Sequence, residues 1–198
     1  MRPLTVAVTG GIGAGKSEAL RAFARRSVPT LSADEVVHRL IAYDPEVRAA
    51  LQERFGTTDR AGIAAVVFAD PEQLAWLEGL LHPCVRRVEE AWLAGLDAAV
   101  AVTEIPLLYE VGGEARFDAV VVITASADVR AARTAVSPDA RSDRLLPDEE
   151  KTARADFAYV NDGTLEQLDA FVGDVLEQLP VRPHRRARRR ASPGGAAD

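Results

Sequence analysis

Apolar residues follow two rhythms along the chain. Short runs that are apolar almost throughout, LTVAV (4–8), VPTLS (28–32), AAVAVTEI (98–105), FDAVVVIT (117–124) and FAYVN (157–161), read as strands. Between them, apolar positions recur every three or four residues and predict helices over 17–26, 34–42, 46–54, 128–134, 147–154 and 164–178. A longer helical pattern runs from Pro71 to about Leu96 and contains Pro83, which is expected to kink or divide it.

Strands alternating with helices, several of them apolar on both faces, predict an α/β fold with a parallel sheet flanked by helices. One interval breaks the alternation: about 65 residues of mostly helical pattern separate the second strand from the third. A minimal crossover needs far fewer, so residues 34–97 are expected to form an inserted helical subdomain beside the strand ends, where an acceptor substrate would sit.

The chain has 198 residues, 47% hydrophobic and 27% charged, enough for one compact core. No apolar run approaches the roughly 18 to 20 residues of a membrane span, and the short apolar start is no signal peptide. The one cysteine, Cys84, rules out an internal disulfide and fits a reducing compartment, so a cytoplasmic location is expected. The net charge of -6 is uneven: residues 179–198 hold six arginines against Asp198, leaving -11 on the rest. A body of that sign does not attract nucleic acid. The stretch RPHRRARRRASPGGAAD (182–198) lacks large apolar residues with which to fold, and the tail reads as solvated and disordered, an RNA, DNA or anionic-surface contact being the lesser alternative.

Directly after the first strand stands TGGIGAGKSE, in which Gly10, Gly15, Lys16 and Ser17 satisfy G-x-x-x-x-G-K-[ST] at a strand-to-helix junction. Backbone N–H groups from Gly11, Gly13, Ala14 and Gly15 would cradle phosphates, with Lys16 as a mobile cation and Ser17 as an oxygen ligand for Mg²⁺. The dinucleotide motif G-x-G-x-x-G fails because Lys16 stands where its last glycine belongs. Of the 24 Lys and Arg residues only two are lysines, Lys16 and Lys151, so no guanine-reading N-K-x-D segment exists. A phosphoryl-transfer enzyme also needs an acid near the acceptor hydroxyl. Asp34 follows the second strand, where it could serve as that acid or merely cap the next helix; its position leaves both roles open.

Taken together, the motifs resemble the dephospho-coenzyme A kinase family. VTGGIGAGKS is similar to the family's opening and SADEVVH to its D-A-D segment. DRAGIAAVVF keeps the R-x-x-L-x-x-x-x-F spacing, LEGLLHPCV carries L-H-P, EIPLLYE is similar to V-P-L-L-F-E, and KTARADFAYVNDG to K-x-x-A-D-x-V-I-x-N-x-G. The resemblance spans most of residues 1–178 and implies a P-loop kinase with a lid at about 128–150. Its implied reaction is ATP- and Mg²⁺-dependent phosphorylation of the ribose 3′-hydroxyl of dephospho-CoA, the last step of coenzyme A synthesis. It further implies Asp34 as the acid at the acceptor hydroxyl. Arg60, His82 and Pro83 would fall in the acceptor-binding insertion, Pro106, Leu107, Leu108 and Glu110 on the acceptor side, Arg141 on the lid reaching the ATP phosphates, and Asn161 with Gly163 near adenine.

The chain departs from the pattern at Ser32, which replaces the first Asp of D-A-D; at Leu145, where Gln is usual; and at Glu18, where Thr is usual. The lid between Arg130 and Arg141 and the loop between Gly56 and Arg60 are short. Two other readings follow: a P-loop kinase with another small acceptor, which an acceptor screen separates, and an impaired nucleotide-binding protein of the same fold, which binds ATP without transfer.

Overall fold

The computed structural model describes residues 2–134 and 145–179. Five strands, β1 (Leu4–Gly10), β2 (Thr30–Ser32), β3 (Val100–Glu104), β4 (Ala119–Thr124) and β5 (Phe157–Val160), form one parallel sheet in the order β2-β3-β1-β4-β5. Every residue of β1 is buried, as a central strand covered on both faces requires. Alternation divides its side chains: Val6 and Val8 enter a core with Phe23 of α1 (Lys16–Arg25) and Leu168 and Val172 of α8 (Leu165–Gln178). Ala7 faces the other way, toward Leu108, Tyr109, Val120 and Val122.

The expected insertion is present as four helices between β2 and β3: α2 (Ala33–Tyr43), α3 (Pro45–Phe55), α4 (Arg60–Ala69) and α5 (Pro71–Ala94). They enclose a core of their own around Val36, Val47, Leu51, Ile63 and Leu81. Their boundaries are locally encoded. Asp44 accepts from the N–H groups of Glu46 and Val47, and Asp70 from those of Glu72 and Gln73, each followed by a proline at the first helical position. The periodicity reading did not resolve α4; its start is marked by Asp59, whose Oδ2 accepts from Gly62 N at 2.8 Å.

Pro83 does not divide its helix as expected, since α5 runs unbroken for 24 residues. Leu77 and Leu80 before the proline and Cys84, Val85 and Val88 after it all pack on the insertion core, so burial along the whole length overrides the missing hydrogen bond. The carbonyl that loses its helical donor belongs to Gly79, an exposed position on α5. The remaining helices, α6 (Ala127–Arg133) and α7 (Asp148–Arg154), flank the undescribed stretch 135–144. Arg141 and residues 180–198, with their expected roles, lie outside the described residues. No helix among the described residues is long and apolar enough to cross a membrane.

Asp169 on α8 locks that helix to the end of α1. Its carboxylate takes Arg26 Nη2 at 2.6 Å and Arg25 Nη2 at 3.0 Å, and the hydrogen bond from Arg26, with that from Arg25, holds its pKa down at about 2. Because the folded value lies below the ordinary one of 3.8, this lock contributes fully above about pH 4 and is lost as pH falls toward 2. Asp169→Asn is therefore expected to lower stability at pH 7 but to flatten the loss of stability between pH 4 and pH 2, read by urea denaturation across that range.

Candidate phosphoryl-transfer site

β1 ends in the glycine loop, and the loop ends in α1. Gly15, at φ +100°, begins α1 with no side-chain cap; Glu18 N already donates to Gly15 O at 3.1 Å, which leaves the N–H groups of Lys16 and Ser17 as the uncapped donors for an anion. A Cβ on Gly15 would lie 2.3 Å from Asn161 Nδ2, which donates to Ala14 O at 2.9 Å. Asn161 is buried at the end of β5 and braces the loop from behind. Lys16 Nζ donates to Gly11 O at 3.0 Å, closing the loop on itself.

Facing Lys16 are two acids. Glu104, 5% exposed, ends β3, and parallel registers set it level with Val8 and Ser32. Ser17 Oγ donates to Glu104 Oε1 at 3.5 Å. Burial pushes the Glu104 carboxyl up, against the pull of Lys16, and burial likewise lowers the Lys16 ammonium, against the pull of Glu104 and Asp34. Asp34 is the second acid. The capping alternative goes to Ser32 instead: Ser32 is the N-cap of α2, and its hydroxyl accepts from Glu35 N at 3.5 Å. Asp34 stands in the first turn with its carboxylate left for other chemistry.

Lys16 and Asp34 line one cavity of about 840 Å³ that extends from the glycine loop to the insertion. Its insertion wall is formed by Val67, Phe68 and Leu74 together with His82, Val85, Arg86 and Glu89 from one face of α5; Pro106, Leu107 and Val111 close another side, and Leu145 also lines it. Glu89, 3% exposed, pairs with Arg116, joining α5 to the segment after this loop.

Several expected site residues stand elsewhere. Arg60 is exposed in the first turn of α4 and Pro83 is exposed on α5; neither lines the cavity. Glu110 turns away from it, with Oε1 2.7 Å from Lys151 Nζ. Arg141 lies outside the described residues; among those described, arginines of α6 approach the loop: a Cβ on Gly11 would lie 2.7 Å from Arg130 Nη1, and one on Gly15 3.8 Å from Arg133 Nη1. Sequence reasoning passed over Glu104, Arg130 and Arg133. The signal for Glu104 was present, as an acid closing an apolar strand at the edge where parallel-sheet sites form.

Among the described residues no group of three or more His, Cys, Asp or Glu forms a metal cage. A Mg²⁺ that keeps water and substrate phosphates as ligands needs only one or two protein oxygens, and the Ser17–Glu104 pair suits it.

Comparison with known proteins places this geometry among kinases. Residues 4–167 match the family model described as dephospho-CoA kinase. A dephospho-CoA kinase of Rhodopseudomonas palustris strain BisB18 is 41% identical over 196 residues, covering 91% of this chain and 98% of the relative. One from Brucella melitensis is 34% identical with 91% and 97% covered. Among solved structures, TT1252 from Thermus thermophilus superposes with a TM-score of 0.78 at 34% identity, covering 91% of this chain and all (100%) of that one. Dephospho-CoA kinase from Campylobacter jejuni (TM-score 0.60, 24% identity, 87% and 95% covered) shares the fold.

Gly15→Ala is expected to weaken MgATP binding about tenfold or more, because the new methyl meets Asn161 at a strained φ. Titration of the folded variant, checked by circular dichroism, measures it.

Proposed function

The chain belongs to the dephospho-CoA kinase family, and we propose that it transfers the γ-phosphoryl group of ATP to the ribose 3′-hydroxyl of dephospho-CoA, giving CoA and ADP. The observation that carries this reading is the single cavity shared by Lys16 and Asp34, with the glycine loop at one wall and the helical insertion at another.

In this reading the first-turn N–H groups of α1 hold the β- and γ-phosphates, and Lys16 exchanges Gly11 O for phosphate oxygens. Arg130 and Arg133 stand beside the loop to offset the charge that spreads over the transferred group. Dephospho-CoA lies along the insertion, its aliphatic arm against Val67, Phe68, Leu74 and Val85. Asp34 accepts the hydrogen bond of the 3′-hydroxyl and takes its proton as the new O–P bond forms and the bond to ADP breaks. Ser17 and Glu104 would hold Mg²⁺, which when bound neutralises the β- and γ-phosphate oxygens. Most of the rate comes from alignment and fixed charge.

The decisive experiment follows ADP release and CoA mass with MgATP, with and without dephospho-CoA. Joint appearance of both products only with the acceptor supports the kinase; ATP binding without CoA supports the impaired nucleotide-binding alternative, and transfer to another acceptor the second kinase reading. Asp34→Asn is expected to cut kcat by about 10²- to 10⁴-fold while MgATP affinity stays within about threefold of wild type. Glu104→Gln is expected to cost on the order of a hundredfold in kcat/KM.

A further inference from the structure

Helix α7 is only seven residues long, yet it meets both the phosphate loop and the segment that continues the acceptor loop. Asp148, its first residue, takes Arg130 Nη1 at 3.0 Å, and this pair lies against Gly11 of the phosphate loop, with Asp148 Oδ1 3.4 Å from where a Cβ on Gly11 would sit. One turn later Lys151 is 0% exposed, with Nζ 2.7 Å from Glu110 Oε1. The same oxygen accepts from Leu146 N at 3.1 Å, and Glu110 Oε2 is buried without a hydrogen-bond partner among the described residues. One turn further, Arg154 pairs with Glu114 and stands 4.5 Å over the Tyr109 ring. Positions 148 and 151, and 151 and 154, lie three apart and so are neighbours on the helix surface.

That face grips the segment from Tyr109 to Glu114, the continuation of the loop that presents Pro106, Leu107 and Val111 to the acceptor cavity. A buried lysine–carboxylate pair contributes little net stability compared with apolar residues of the same size, but it tolerates few geometries. Its position between two binding sites gives that rigidity a use. We infer that Lys151 is a positioning residue: through Glu110 it ties the acceptor loop to α7, whose first residue rests on the phosphate loop, so that nucleotide binding tightens acceptor binding. The inference rests on dephospho-CoA as the acceptor. Coupling of this kind is reciprocal, so the acceptor tightens nucleotide binding by the same factor.

The test measures dephospho-CoA affinity by calorimetry with and without a non-hydrolysable ATP analogue, alongside kcat and KM, for wild type, K151M, K151R and the double variant E110Q/K151M. In wild type the analogue is expected to tighten dephospho-CoA binding about fivefold or more. The gain collapses toward unity in K151M, with KM for dephospho-CoA rising by a larger factor than kcat falls, and returns in K151R. The double variant leaves no stranded buried charge and keeps the test open if K151M fails to fold; it too is expected to lack the gain. A lowered Tm with the gain intact overturns the inference, as does a wild type that forms CoA without any gain. A wild type that neither binds dephospho-CoA nor forms CoA overturns both this inference and the kinase reading.

Discussion

Parallel pairing of β1 with β3 on one side and β4 on the other brings the carboxyl ends of the strands to one edge of the sheet, and the site is built from what lies there. Gly10 opens the phosphate loop at the end of β1, Glu104 closes β3 two residues below that level, and Ser32 ends β2 opposite Glu104. An antiparallel neighbour would have carried Glu104 to the opposite edge. Since β1 is buried along its whole length, its register cannot slip without turning Val6 and Val8 out of the core. The placement of Lys16, Ser17, Glu104 and Asp34 therefore inherits the rigidity of the central strands.

Charges gathered at that edge are held at some electrostatic cost. Burial opposes ionisation of both Lys16 and Glu104, and each relieves the other. With Lys16 bonded to Gly11 O, the loop satisfies its own cation. A triphosphate offers the same ammonium stronger acceptors and fills the uncapped end of α1 as well. The glycine loop is thus stable as it stands and complementary to an anion.

The insertion brings a second, separately packed body to this edge. Its core around Leu51 and Leu81 keeps α5 continuous past Pro83, which sets His82, Val85, Arg86 and Glu89 along one cavity wall. Ion pairs then join the parts: Glu89 with Arg116, Glu110 with Lys151, and Arg130 with Asp148. Each bridges separate segments of the chain: Glu89 and Arg116 line the cavity itself, whereas the other two pairs hold α7 against the segment after Leu107 and against Arg130 beside the phosphate loop.

The glycine loop, the alternation of strands and helices, and the long helical interval between the second and third strands were legible in the sequence because each depends on local spacing and backbone chemistry. So was the acid after β2, although only the structure assigned the cap to Ser32 and left Asp34 to the cavity. The continuity of α5 was not legible, because burial on both sides of Pro83 outweighs a local breaking signal. Nor were the outward placement of Arg60, the turning of Glu110 toward Lys151, or the pairing of Ser17 with Glu104. A motif names which residues stand near one another in sequence. Which way a side chain points, and which charge it meets, depends on strand register and on helices that return to the sheet from far along the chain.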